Sequence, residues 1–129
     1  MLRNLGSVIA GLVTWIVVAS ILDRAMRAVW TQYAAALPTF HFTLPMMAAR
    51  LSEAAIATLV AGYVAGRVAR AWWPIWVQSA VLLAPFLWVH FMLWDKFPIW
   101  YHVTFLVGTL VPLTLLGGAA GRGGKRGQA

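Results

Sequence analysis

Residues 5–22 read LGSVIAGLVTWIVVASIL, 18 positions without a charge, bounded by Arg3 on one side and Asp23-Arg24 on the other. A helix that crosses a bilayer needs about 20 mostly apolar residues, because its backbone polar groups must all be satisfied inside the segment. This stretch meets the requirement. A secretory leader has a shorter apolar run and a small-x-small cleavage site. The residues that follow here, Asp23-Arg24-Ala25-Met26-Arg27, hold no such site. The reading is a retained membrane helix.

Working outward, three more stretches have the same character: about 46–68, 75–94 and 98–118. Pro74 and Pro98 each open a Pro-Ile-Trp triplet, placed where a helix start has no use for the missing N–H. Pro85 and Pro112 fall inside helices three and four and predict kinks there. The composition agrees. The chain is 62% hydrophobic and 10% charged, with a mean hydropathy of +0.80. A soluble domain is about 45–50% apolar and about 25% charged, so a water-soluble globule is excluded, and disorder with it. The absence of cysteine from the sequence excludes disulfides, thiolate metal sites and cysteine nucleophiles. The expected fold is an all-α membrane protein, with four transmembrane helices in an antiparallel bundle.

Between helices one and two lies a longer connection, residues 23–44. Met26, Val29, Trp30, Tyr33 and Leu37 form an apolar stripe opposite Arg24, Arg27 and Thr31, which predicts an interfacial helix or a continuation of helix one. Residues 119–129 are expected to be a flexible basic tail, since 117–129 hold six of the eleven glycines.

Four helices put the N-terminus, the second loop and the C-terminus on one side. That side carries Arg3, Arg67, Arg70, Arg122, Lys125 and Arg126, against Arg24, Arg27, Arg50 and Lys96 on the other. Positive residues favour the cytoplasm. The expected placement is a bacterial inner membrane with both termini cytoplasmic. Trp72, Trp73 and Trp76 would mark one interface, and Trp30, Tyr33, Trp94, Trp100 and Tyr101 the other. Trp15 and Trp88 fall nearer mid-span and are expected to pack between helices.

Helix two carries small residues every fourth position: Ala54, Thr58, Gly62 and Gly66. Such ladders let membrane helices approach closely. Helix one has Ser7 and Gly11 at the same spacing, so the expectation is that helix one packs on this ladder. A homo-oligomer or partner-subunit contact is the alternative.

All three acids (Asp23, Glu53, Asp95) and all three histidines (His41, His90, His102) fall towards the side opposite the termini. Polar groups at membrane depth nominate themselves for function. The first reading is structural. Arg50 pairs with Glu53 one turn on, Asp23 pairs with Arg24 or Arg27, and Asp95 caps locally. Tyr101 and His41 belong to the same outer cluster. A second reading is a metal site from His90, His102 and Glu53, although no compact ligand motif such as H-E-x-x-H is present. A third is a proton relay through Glu53 and a histidine. Adjacent helices about 8–10 Å apart leave little room for a porphyrin, and no cofactor is expected. The basic tail fits anionic lipid better than nucleic acid. No nucleophile elbow or phosphate loop is present. The expected role is therefore non-enzymatic: an accessory or scaffolding component of a membrane assembly, with the lipid bilayer and a membrane protein as partners. A small oligomeric transporter or channel for protons, metal ions or a small solute is the runner-up, and a metal-dependent membrane enzyme comes third.

Residues 93–118, LWDKFPIWYHVTFLVGTLVPLTLLGG, together with Ala61-Gly62-Tyr63 and Arg67-Val68-Ala69-Arg70, resemble an uncharacterised family of small four-helix bacterial integral membrane proteins. The resemblance implies bacterial inner-membrane placement and carries over no catalytic role. It singles out Asp95, Trp100, Tyr101 and His102 as the first positions to mutate. Helix one lacks the embedded acid of the small multidrug transporters.

Overall fold

The computed structural model describes residues 1–126. Four helices are long and apolar enough to cross a membrane. The first is α1 (Leu2–Val29). After a break at Trp30 comes the single short turn of α2 (Thr31–Ala36), then α3 (Leu44–Val68) and α4 (Trp73–Met92). A 3₁₀ turn (Trp94–Lys96) leads into the last rod. This rod is built from α5 (Ile99–Val103), a π-helical segment (Thr104–Leu110) and α6 (Val111–Arg126).

Helix one does not stop at residue 22. It runs on to Val29, because residues 23–29 contain no glycine or proline and Arg27 pairs with Asp23 one turn back, at 2.6 Å. At 28 residues it is about 42 Å long, more than the hydrocarbon core needs, so its last two turns emerge with their charges. The interfacial element shrinks accordingly to α2 and the turn after it. In that turn Phe40 takes a left-handed φ of 56°, which is costly for a bulky side chain. Its ring stacks edge-on against Phe42 and Phe97.

The fourth rod answers Pro112 with a wide turn. Proline offers no N–H to the preceding helix, and the π-helical segment ends just before it, with Thr109 Oγ1 donating to the Thr104 carbonyl at 2.9 Å. The rod then passes through Gly117 and Gly118 without interruption to Arg126. The start of the expected flexible tail is thus helix. Residues 127–129, and the side chains of Lys125 and Arg126, lie outside the described residues.

The core follows from the small residues of α3. Ala54, Ala57, Thr58, Ala61, Gly62, Ala65 and Gly66 are all buried. Consecutive spans alternate in direction, as expected. The most extensively packed pair is nevertheless the parallel one, α3 with α6, followed by α3 with α1. Gly62 and Gly66 face Thr114 and Gly118 of α6. From the other side, Gly117 and Gly121 of α6 face the backbone of Leu59 and Tyr63. The Gly62/Gly66 ladder is therefore occupied by helix four and not by helix one. Within this chain it is no free face for an oligomer. Ala54 joins Phe105 and Leu110 in a small apolar cluster. Helix one meets α3 through Trp15, whose indole N–H donates to Thr58 Oγ1 at 3.0 Å, and Trp15 also packs edge-on against Phe86. Gly11 instead makes room for the carboxamide of Gln78 on α4. Trp15 packs between helices as expected. Trp88 does not: it is 65% exposed on the outer surface.

Candidate functional site

The polar groups nominated by the sequence gather at one end of the bundle, here called the histidine end. Five helices contribute. Asp23 and Arg27 lie on the emergent turns of α1, and Tyr33 on α2. Arg50 lies on α3, with His90 and Tyr101 on α4 and α5.

Arg50 is the hub. Its Nη1 donates to the Tyr33 hydroxyl at 2.8 Å and its Nε to the Tyr101 hydroxyl at 3.3 Å. Its guanidinium lies 4.9 Å from the centre of the Phe42 ring, close enough for a cation–π contact. Tyr33 passes the chain on, its hydroxyl donating to Asp23 Oδ1 at 3.4 Å. Asp23 holds Arg27. The expected Asp23–Arg27 pair is present. The expected Arg50–Glu53 pair is not, because the two tyrosines take the guanidinium instead. Burial raises the Tyr33 phenol above its ordinary value, against the pull of Arg50. The hydroxyl therefore keeps its proton and serves both neighbours.

The histidines meet directly. His90 Nδ1 and His102 Nδ1 are 2.7 Å apart, and His102 Nε2 lies 3.2 Å from the Trp94 carbonyl. A carbonyl only accepts, so Nε2 of His102 carries a proton. With both rings neutral, His102 Nδ1 is then the acceptor and His90 Nδ1–H the donor, an assignment made from the network. This arrangement corrects the metal reading. Two imidazoles on one tetrahedral ion at about 2.0–2.1 Å hold their nitrogens farther apart than this hydrogen bond. Glu53 does not join them either: among the described residues no three His, Asp or Glu side chains come together to hold a metal. His41 and Asp95 are exposed and stand outside the network.

Around these bonds runs a column of rings. Trp30 stacks on Tyr33, Tyr33 on Phe42, Phe42 on Phe97, Phe97 on Tyr101, and Tyr101 on His90, with centroids 4.5–5.9 Å apart. Trp94 stacks on His102 at 4.6 Å. Offset stacks at these distances contribute beyond area burial. Sequence reading placed Trp30, Tyr33, Trp94 and Tyr101 in a lipid-facing belt, yet Tyr33 and Tyr101 are almost wholly buried. Phe42 and Phe97 were not singled out at all. Their position beside Pro38 and Pro98 turns gave no periodic signal.

Beneath the network a cleft of about 510 Å³ opens between α1, α3, α4 and α5. Trp15, Phe86 and Phe105 form its apolar walls, while Asp23, Arg27, Arg50 and Glu53 supply charge. Glu53 is half-buried there and makes no ion pair or hydrogen bond among the described residues. No family model, curated protein or solved structure matches the chain.

Proposed function

We propose that the chain is a non-catalytic component of a membrane assembly, an accessory or scaffolding subunit that engages its partner through the cleft at the histidine end. One observation carries this reading. The side chains that chemistry would need are spent on tying segments together: Arg50 on Tyr33 and Tyr101, His90 on His102. Within the cleft, the group left over is Glu53, a carboxylate among apolar walls, suited to a cationic or hydrogen-bonding side chain of another membrane polypeptide. Placement in a bacterial inner membrane with cytoplasmic termini belongs to the same proposal. It is supported by the six-to-four distribution of Lys and Arg.

The test is a photo-crosslinking residue at Ser20, on the wall of the cleft, followed by gentle solubilisation and native mass spectrometry. The expected result is one dominant crosslinked membrane polypeptide, lost in Glu53→Gln. A lone monomer with no crosslink overturns the reading. The position of Glu53 favours one second reading, a small oligomeric transporter or channel. In that case proteoliposomes show proton or solute flux that Glu53→Gln abolishes.

A further inference from the structure

The opposite end of the bundle, the arginine end, is built differently. Arg3 Nε donates to the Val68 carbonyl at 2.8 Å, which caps the C-terminus of α3. Arg122 Nη1 donates to the Ala71 carbonyl at 2.9 Å, and its guanidinium lies over the Trp72 ring at 5.2 Å. The Arg70 amide donates to Asn4 Oδ1 at 2.9 Å, and its exposed side chain makes no hydrogen bond or ion pair among the described residues. These three arginines line a pocket of about 390 Å³, together with Trp72 and Ala119. Arginine has five N–H donors in a fixed fork. Arg3 and Arg122 each spend one on a carbonyl, so most of their donors remain for another acceptor. Among the described residues no carboxylate can serve, since Asp23, Glu53 and Asp95 all lie towards the other end.

A second cavity adjoins the first and shares Trp72 and Ala119 with it. It is an apolar groove of about 650 Å³, walled by Trp76, Pro112, Leu115 and Leu116. A cationic pocket beside an apolar groove matches one amphipathic shape. We infer that this end binds an anionic phospholipid, with its phosphate between Arg3, Arg70 and Arg122 and an acyl chain along Trp76 and Leu116. Planar guanidinium groups bind phosphate oxygens bidentately, and Trp72 lies at the depth where indole rings meet headgroups. A free phosphate ion would use the arginines and leave the groove without a role. The groove is what selects the lipid.

The experiment uses the full chain in neutral detergent, with phosphatidylglycerol, phosphatidylcholine, glycerol 3-phosphate and inorganic phosphate as separate probes. Retained adducts are counted by native mass spectrometry and thermal stability is measured in parallel. The expected result is a retained one-to-one phosphatidylglycerol adduct that raises the melting temperature, with little retention of phosphatidylcholine and no shift from either free phosphate. Arg70→Gln removes no hydrogen bond or ion pair among the described residues and should lower retention roughly fivefold, the weight of one basic side chain at an anionic surface. Trp76→Ala should weaken the adduct with all three arginines in place. Equal retention of the two lipids overturns the inference, as does full retention in Arg70→Gln. Stabilisation by inorganic phosphate equal to that by the lipid also overturns it, by showing a plain anion site.

Discussion

The contact between α3 and α6 gives the sharpest test of the fold, and alanine at Gly62 is the perturbation. A Cβ built on Gly62 would stand 2.5 Å from the Thr114 carbonyl oxygen and 3.1 Å from its Cα. Close carbon–oxygen approaches between helices stand at about 3.3–3.6 Å, so α6 must retreat by roughly 1 Å. A gap of that size forfeits about a quarter to a half of each dispersion contact along the interface, and one extra methyl in a packed core costs about 1–3 kcal/mol. Alanine also gains helix propensity over glycine, up to about 1 kcal/mol in water, so a control is needed. Gly6 is helical and a Cβ there meets nothing within 4 Å. Gly6→Ala therefore carries the propensity gain alone. The gap between Gly62→Ala and Gly6→Ala isolates the clash and should be about 1–3 kcal/mol. Gly118→Ala should cost a similar amount, because its Cβ would stand 2.7 Å from Ile75 Cδ1 and 2.8 Å from its Cγ2, and Ile75 is wholly buried and stiff at χ1. The assay is reversible unfolding in mixed dodecyl sulfate and neutral detergent micelles, read by tryptophan fluorescence. If Gly62→Ala is as stable as Gly6→Ala, the close parallel packing of α3 on α6 is wrong.

Arg50→Lys should destabilise by about 1.5–3 kcal/mol in the same assay, since an ammonium cannot span both tyrosine hydroxyls and the Phe42 face. Tyr33→Phe alone should cost less. Because burial raises the Tyr33 phenol, the folded chain holds that proton where the unfolded chain has lost it. Stability present below a pH of about 10 should therefore decline as pH rises above it towards the folded value. Phenolate absorbance should show Tyr33 titrating late, and Tyr33→Phe should remove that part of the decline. Gln78 is fully buried, with neither its amide nitrogen nor its carbonyl oxygen hydrogen-bonded among the described residues. Gln78→Met keeps the volume and removes the orphaned groups, so it should raise the melting temperature by an amount equivalent to about 1–3 kcal/mol. A lower melting temperature would show that the amide has a partner in the membrane.

The four spans were legible because their signal is composition over a fixed length, which bilayer thickness dictates. Helix two's small-residue ladder was legible too, but its partner was not. A ladder in one helix states that something approaches closely without saying what. The missing half lay in Gly117, Gly118 and Gly121. Outside a hydrophobic run, glycines beside basic residues look like a tail, yet in α6 they face the backbone of α3. At the histidine end the network joins the nominated Asp23, Arg50 and Tyr101, leaves out His41 and Asp95, and pairs Arg50 differently from the expectation. Arg50 and Glu53 are neighbours by helical spacing, while Arg50 and Tyr33 are neighbours only because α2 folds back over the bundle. The π-helical turn before Pro112 was foreseen only as a kink.

The two ends treat their cations in opposite ways, and this changes what the net charge of +7 means. At the histidine end the cations Arg24, Arg27, Arg50 and Lys96 share their end with the acids Asp23, Glu53 and Asp95, and Arg27 pairs directly with Asp23, so the charges there are largely balanced within the chain. At the arginine end the acceptors for Arg3 and Arg122 are main-chain carbonyls. These fix where the guanidinium groups sit and leave their charge unneutralised. Charges gathered at one end repel one another unless counter-charge arrives, and phosphate at headgroup depth is the counter-charge a bilayer supplies. Cations that orient the chain thus also leave that end dependent on its lipids. Changing bilayer charge should then move the stability of α6 against α3 and α4, whereas the Arg50 network should be indifferent to it.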